Sequence, residues 1–389
     1  MKKQSFADIL SGITEADSAR VFKKVPAWAD VPGIEFPSRL STEQCSSQAT
    51  ALYKASLAKE VIGECGGSGI IDLTGGLGVD CWAFSRVADR VHHNEMNAEL
   101  SAAVRKNFDS LGITNASFSC IEVQPGNISE VIAGAGFSPA LIFLDPARRS
   151  GTGRKVFLLE DCRPDILSLK DELLSAAPSV LVKLSPMADI TMVCRRLGAE
   201  VREVHVVGAS GECKELLIWL QRGWKDGYTI VSCDADSQRG ALRFSPAEEA
   251  GAIPSFLPDA DRLEGGWLFE PSAAVLKAGC FNLLCSRLGL QKFARFTHLY
   301  FTGSPAPDLS SFGKVFRIDQ VLPFDSRTIK DLGKSLGSCE VTARNLPITS
   351  DELRKKLGTA SGGNSHIFAL TADFASGSRR LLLVCSKLP

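Results

Sequence analysis

The run Ile70-Ile71-Asp72-Leu73-Thr74-Gly75-Gly76-Leu77-Gly78-Val79-Asp80 constrains this chain more than any other stretch. An apolar segment ends in an acid, a glycine-rich turn follows, and a helix-forming segment, Cys81 to Val87, comes next. That order describes a buried strand feeding a helix through a turn so tight that a ligand can lie against the backbone. Asp72 is placed to accept hydrogen bonds from such a ligand, and Gly75, Gly76 and Gly78 let it approach. The spacing is Gly-Gly-x-Gly-x-Asp, not the Gly-x-Gly-x-x-Gly of dinucleotide-binding turns. An acid at the strand end also opposes a pyrophosphate, so a nicotinamide cofactor is the weaker reading.

The same layout repeats downstream. Asp89 to Asn97 reads as a second strand ending in Glu95, beside Met96 and 23 residues after Asp72. An acid at about that distance holds a ribose hydroxyl pair in nucleotide-binding sheets. Ala98 to Leu111 is helical by the spacing of Leu100, Val104, Phe108 and Leu111. Phe118 to Val123 is a third strand, followed by Gly126-Asn127, where the Asn127 amide is placed to read an adenine edge. Ala140 to Leu144 is a fourth strand running into Asp145, and Val180 to Leu184 a fifth. Glu203 to Val207 and Glu215 to Leu220 close the sheet. Strands alternating with helices imply a parallel, doubly wound α/β sheet with ligands at the carboxyl ends of the strands. Asp72, Glu95, Asn127 and Asp145 all fall at such ends. This arrangement resembles the S-adenosylmethionine (SAM) site of class I methyltransferases. The resemblance implies SAM as cofactor, held by Asp72, Thr74, Gly75, Gly76, Gly78, Asp80, Glu95, Met96, Asn127 and Asp145.

At 389 residues and 44% hydrophobic content, the chain can bury cores for two or three domains. No apolar stretch approaches the roughly 20 residues of a membrane span. Met1-Lys2-Lys3-Gln4-Ser5 lacks the apolar core of a signal peptide. The twelve cysteines include no Cys-x-x-Cys pair, so neither a zinc site nor a disulfide framework is expected, and a reducing cytoplasm fits best. His92 and His93 face opposite sides of a strand and read as structural, not as metal ligands. The net charge is zero but uneven. Residues 286–389 carry 15 Lys and Arg against 8 Asp and Glu, and the 285 residues before them carry 29 against 36. A basic tail on an acidic body suits a polyanionic partner, and a solvated basic surface is the plainer alternative.

The expected organisation is a helical lead-in over 1–40, the sheet domain over 41–222, a connecting region over 223–311 and a compact α+β module over 312–389. Ser41-Thr42-Glu43-Gln44 reads as a capping box opening a helix that contains Ala49, Leu52, Tyr53 and Leu57. Its start would lie over the ligand end of the sheet, making Gln44, Ser46, Thr50 and Lys54 candidates for a lid. A helix is expected from Glu270-Pro271 to just before Gly289, and Gly303 to Pro307 reads as a linker. In the last module, Lys314 to Leu322 and Cys339 to Asn345 are strands, and Asp325 to Leu336 is a helix. Thr349 to Glu352 caps a helix through Leu357, and His366 to Phe374 pairs with Arg379 to Ser386.

The chemistry concentrates at Asp145-Pro146-Ala147-Arg148-Arg149, where class I methyltransferases place a substrate base. Asp145 and Pro146 match the acid and first proline of the turn in enzymes that methylate exocyclic amines. Ala147 and Arg148 replace the second proline and the aromatic. A guanidinium plane stacks on a base and Arg149 can grip a phosphate, whereas pairing with Glu160 or Asp161 is the structural alternative. The segment also resembles the Asp-Pro-Pro-Arg turn of RNA 5-methyluridine methyltransferases. Those enzymes need a cysteine nucleophile after the fifth strand, and Lys183-Leu184-Ser185-Pro186 has none. Covalent addition is therefore not expected, leaving direct transfer to nitrogen or oxygen, with Lys183 a candidate substrate contact.

With Leu40 to Ser47, Tyr53-Lys54, Gly211 to Leu216 and Glu270-Pro271 through Gly279 added, residues 36–389 resemble a bacterial family of class I SAM-dependent methyltransferases. Its members carry a ferredoxin-like segment and a THUMP-like C-terminal domain. THUMP domains generally bind structured RNA, so the resemblance implies RNA methylation, and with direct transfer the leading reading is a base nitrogen. Asp145, Pro146, Arg148 and Lys183 would face the base, and Gln44, Lys54, Arg149, Lys330, Lys334, Arg354, Lys355 and Lys356 would contact the substrate. A small-molecule or protein methyltransferase, or a SAM- or RNA-binding protein without catalysis, are the alternatives.

Overall fold

The protein is described by a computed structural model covering residues 15–148, 159–237, 240–306 and 308–387. It divides into two compact units at Val231 and Ser232. Among the described residues no helix is long and apolar enough to cross a membrane.

The first unit is built on strands β1 (Gly69–Asp72), β2 (Arg90–Asn94), β3 (Ala116–Ser119), β4 (Leu141–Leu144), β7 (Ser179–Leu184), β8 (Val201–Ala209), β9 (Glu212–Gln221) and β10 (Thr229–Asp234). Two-residue strands β5 (Ala147–Arg148) and β6 (Cys162–Arg163) pair with each other apart from this sheet. The order β10-β8-β9-β7-β4-β1-β2-β3 places β1 and β4 side by side in the middle. The β1–β2, β2–β3, β1–β4 and β4–β7 pairings are parallel, as expected. The closing pair is not: β9 runs antiparallel to both β7 and β8, inserting between them as a hairpin. Every residue of β1 and β4 is buried, which their unbroken apolar runs require.

Three local expectations shift. The helix expected from Ser41 is two helices: Arg39–Gln44, capped by the Ser38 side chain, and Gln48–Cys65, capped by Ser47. Ser41 therefore lies inside the first helix; Ser38 and Ser47 take the cap because each precedes the turn that actually starts. The third strand lies at Ala116–Ser119, earlier than Phe118 to Val123, because the Asn94 side chain bonds Ile121 N and O and ends the pairing there. The sheet also continues past Arg222 into β10. The lead-in helix Glu15–Lys24 is pinned by Lys24 Nζ, which donates to Thr42 O and Glu43 O at 3.1 and 2.6 Å.

The second unit opens with β11 (Leu242–Phe244) and contains a sheet of β12 (Trp267–Pro271), β13 (Gln291–Lys292), β14 (Tyr300–Thr302), β15 (Gly313–Pro323), β16 (Glu340–Arg344), β17 (Ser365–Phe374) and β18 (Gly377–Lys387). The order is β13-β14-β12-β15-β18-β17-β16. Glu270 and Pro271 end a strand and do not start a helix. Ser272 caps the helix Ala273–Ala278, which Gly279, at φ +79°, stops short. The capping box at Thr349 and the β17–β18 hairpin form as expected. Helices Ser326–Ser335 and Ser350–Leu357 cover one sheet face through Ile329, Leu332, Leu353 and Leu357. They meet so closely at Gly333 that a Cβ there would lie 1.9 Å from Leu357 O.

Residues before and after Gly303 form one sheet. β12 pairs antiparallel with β15 from Trp267↔Arg317 to Pro271↔Gly313. One apolar cluster holds Leu268, Phe293, Leu299 and Phe301 together with Phe316, Ile318, Phe368 and Leu383. The segment after Gly303 therefore shares its core with the segment before it, which the linker reading did not anticipate.

Candidate active site

At the carboxyl end of the first unit's sheet, Asp72 ends β1 fully buried and accepts a bond from Thr74 N at 3.1 Å. Leu73 N donates to Phe143 O, extending the β1–β4 pairing by one residue before the chain turns. Gly75 N donates to Asn94 O at 2.8 Å and Gly78 N to Gly75 O, closing the turn. Two glycines have packing reasons of their own. A Cβ on Gly75 would fall 2.2 Å from the His93 ring, and Gly78, at φ +82°, would put one 2.7 Å from Val104. Gly76, at φ +53°, has open space around it, and its N–H donates to Glu95 Oε2 at 3.0 Å. The other Glu95 oxygen accepts from Asn97 N at 2.9 Å. Glu95 is thus oriented by backbone while each oxygen keeps acceptor capacity.

Asp145 follows β4 and is tied to the glycine turn by one bond, its N–H donating to Thr74 Oγ1 at 2.6 Å. Its carboxylate, about a third exposed, pairs with Lys183 Nζ at 2.5 Å. Burial pulls the Lys183 ammonium down, but Asp145, Glu215 and Asp80 together outweigh it and hold it above the ordinary lysine range. The ion pair thus favours the charged form of Lys183 and holds it against Asp145. Pro146 is buried beside them. Arg149 and the Arg148 side chain lie outside the described residues.

Two expected contacts become structural. Lys54 is fully buried, its Nζ 3.1 Å from Asp80 Oδ1, 2.8 Å from Glu215 Oε1 and 3.2 Å from Ser46 Oγ. Asp80 Oδ2 accepts from Ser46 Oγ at 2.8 Å. Lys54, with no exposed surface, does not fit as a substrate contact, and Asp80 is engaged by Lys54 and Ser46 in the same buried set. Of the remaining lid candidates, Thr50 Oγ1 donates to Ser47 O, and Gln44 alone is exposed. The Asn127 amide closes its own loop, accepting from Gln124 N and donating to Glu122 O. Met96 is 66% exposed just after Glu95.

Two residues that hold the site's frame together were given no such role by the sequence reading. Asn94 donates to Leu73 O and Ile121 O and accepts from Ser119 Oγ and Ile121 N, fastening the ends of β1, β2 and β3. Glu215 is the buried counter-charge of Lys54; an acid opening the apolar run Leu216 to Leu220 was its only signal. The histidines are structural: His92 bonds Ser117 and Ser119, and His93 Nε2 donates to Gly76 O. Burial pushes both imidazoles down to about 4.

Burial first, then Asp80, Asp145 and Glu95, raises the Asp72 carboxyl well above its ordinary range. A ligand carrying an ammonium and a sulfonium relieves that crowding, and the spare acceptors of Glu95 suit a ribose diol. SAM fits these residues. A thiolate nucleophile does not: Cys45, near Asp80 and Lys183, is pushed up by burial, and its Sγ donates to Thr42 O.

The THUMP domain-like family matches residues 313–387, and a ferredoxin-like domain family matches residues 267–309. The whole chain is similar to the solved structure of a candidate methyltransferase from Porphyromonas gingivalis. That likeness has 30% identity and a TM-score of 0.82, and covers 100% of this chain and 95% of that one. Slighter likenesses include an rRNA methylase from Streptococcus thermophilus, at 11% identity, a TM-score of 0.31, and coverage of 43% of this chain and 95% of that one. A candidate class I SAM-dependent methyltransferase from Listeria monocytogenes has 8% identity, a TM-score of 0.34, and coverage of 50% and 66%. These last two are too slight to bear on function. No curated protein sequence matches the chain.

Proposed function

From the premise that this chain belongs to the family of class I SAM-dependent methyltransferases with ferredoxin-like and THUMP-like C-terminal domains, we propose that it methylates a base nitrogen of structured RNA by direct transfer. The observation that carries the reading is the single bond from Asp145 N to Thr74 Oγ1. It fixes the acid that would meet the substrate to the turn that would carry the cofactor. SAM supplies an activated methyl group on a sulfonium. Asp72 and Glu95 bind and orient, the first through its crowded carboxylate and the second through acceptors left free by the backbone. Asp145 accepts a hydrogen bond from the amine to be methylated, the proton that the nitrogen sheds leaves along that bond toward solvent, and the pairing with Lys183 fixes the oxygen's direction. Such positioning is the main demand of an in-line displacement.

RNA is the substrate class that the THUMP domain-like match and the basic C-terminal segment favour. The test is tritiated SAM incubated with RNA from cells lacking this protein, followed by digestion to nucleosides. Label in an N-methylated nucleoside is expected. Label confined to protein or small molecules would replace the RNA reading, and SAM binding with no transfer to any fraction would leave a binding protein.

A further inference from the structure

The tip of the β13–β14 hairpin, residues 294–298, combines features that neither the basic helices nor the methyl-transfer site explain. Phe296 is 68% exposed, and the Arg295 guanidinium lies 5.2 Å from its ring centroid. Behind it, His298 stacks on Phe281 with centroids 4.1 Å apart and planes 28° apart. Burial, with Lys292 and Arg344 nearby, holds the His298 imidazole below its ordinary range, and its Nδ1 is buried without a partner among the described residues.

The backbone is strained at the same place. Among the described residues only Ser210, His298 and Asn345 are non-glycines at positive φ. Two of these three meet here, since Asn345 Nδ2 donates to Thr297 Oγ1, next to His298. Thr297 Oγ1 in turn donates to Thr371 O, and Thr371 Oγ1 to Asn345 O. This closed set of bonds holds the tip rigid while leaving Phe296 and Arg295 outside. Strain of this kind persists only where surrounding structure enforces it, and it gathers at ligand sites. An exposed aromatic beside an exposed guanidinium on a rigid tip is a poor surface for water and a good one for a base and its phosphate.

We infer that the Arg295–Phe296 tip is a stacking platform for one unpaired RNA nucleotide, with Phe296 against the base and Arg295 on the adjoining phosphate. The inference rests on the RNA reading above. Charge complementarity favours RNA over an apolar protein surface: Arg295 and Arg344 are exposed here, and among the described residues only Arg344 of the two has an acid partner, Glu270 at 3.3 Å. A platform of this kind takes any base, because every base has a π-face; it distinguishes unpaired from paired RNA, not one sequence from another.

The test measures fluorescence anisotropy of the full-length protein with a labelled oligouridine strand and with a blunt RNA duplex of the same length. Phe296→Ala should weaken oligouridine binding about tenfold and leave the duplex unchanged, and Phe296→Trp should retain wild-type affinity. Arg295→Gln should flatten the log–log salt dependence by about one. A 2-aminopurine placed in the strand should be quenched by the wild type and not by Phe296→Ala. Unchanged oligouridine affinity in Phe296→Ala would overturn the platform and make the tip a protein contact, with the RNA reading intact. Equal weakening on both probes would also overturn it. A wild type that binds neither probe would remove the RNA reading itself.

Discussion

Lys54 and Lys183 both meet carboxylates around the carboxyl end of the first unit's sheet, and they differ in one respect that sets their roles. Lys54 is sealed, with two acids and a serine hydroxyl around an ammonium that has no exposed surface. Lys183 is paired with a single acid, Asp145, whose side chain remains 37% exposed. The sealed set joins the helix Gln48–Cys65 to Asp80, just past the glycine turn, and to β9, and Lys54 offers no exposed surface to a ligand. The open pair keeps a carboxylate edge toward solvent. Charge marks both sites; exposure separates structure from chemistry.

The largest expected effect tests the sealed side. Lys54→Met strands Asp80 and Glu215 without their counter-charge, and breaking such a buried set removes about 3–5 kcal/mol of stability. Denaturant unfolding should register it, and adding Glu215→Gln should restore part of the loss. A Lys54→Met protein as stable as the wild type would erase the distinction between the two lysines.

The open side should fail in catalysis instead. Asp145→Ala is expected to lower methyl transfer about a hundredfold or more, with SAM affinity and unfolding midpoint moving far less than in Lys54→Met. Lys183→Met should follow the same pattern. If Asp145→Ala reduced SAM binding and turnover equally, Asp145 would belong to the cofactor site.

Asp72 sharpens the contrast, because it is buried like Lys54 but crowded by its own sign. Its folded pKa is raised, so its contribution to stability is fully present below the ordinary aspartate value and is lost as pH rises through the folded value. At neutral pH without ligand, Asp72→Asn should therefore be more stable than the wild type, and the gain should vanish below about pH 4. The same change should weaken SAM by about 1.5–3 kcal/mol, the worth of a hydrogen bond to a charged group. Calorimetry at two pH values checks both; a variant that is less stable at neutral pH contradicts the burial argument.

The smallest effect concerns the second unit, where charge lies outside an apolar core. Lys330, Lys355 and Lys356 are exposed, whereas Lys334 lies 3.3 Å from Asp331 and Arg354 pairs with Glu340 at 3.2 Å. Changing Lys330, Lys355 and Lys356 to Gln should flatten the salt dependence of RNA binding by about 0.7–0.9 for each phosphate no longer neutralised, with little change in stability. The full-length protein is the right material, since β15 pairs with β12 and cutting before Phe312 would open a shared core.

Several elements were legible because their signals are local. The strand, acid and glycines of 70–78, the capping box at Thr349 and the hairpin of 365–387 each depend on neighbours within a few positions. The site was legible in part: Asp72, Glu95, Asp145 and Lys183 do gather around one turn. Lys54 was misread because its helix position looks the same whether the facing surface is water or Glu215. What the sequence did not show about the glycines is that Gly75 also packs on His93 and Gly78 on Val104.

By itself, the sequence determined the first strand with its glycine turn, the acids at the ends of the early strands and the absence of cysteine from Lys183-Leu184-Ser185-Pro186. All of these follow from periodicity and residue type along a short stretch of chain. Tertiary structure alone decided which charges are sealed, which face outward, and that the segments on either side of Gly303 share one sheet. Burial and pairing are properties of what arrives from elsewhere in the chain. Lys54 meets Glu215 across 161 positions, and no local pattern carries that distance.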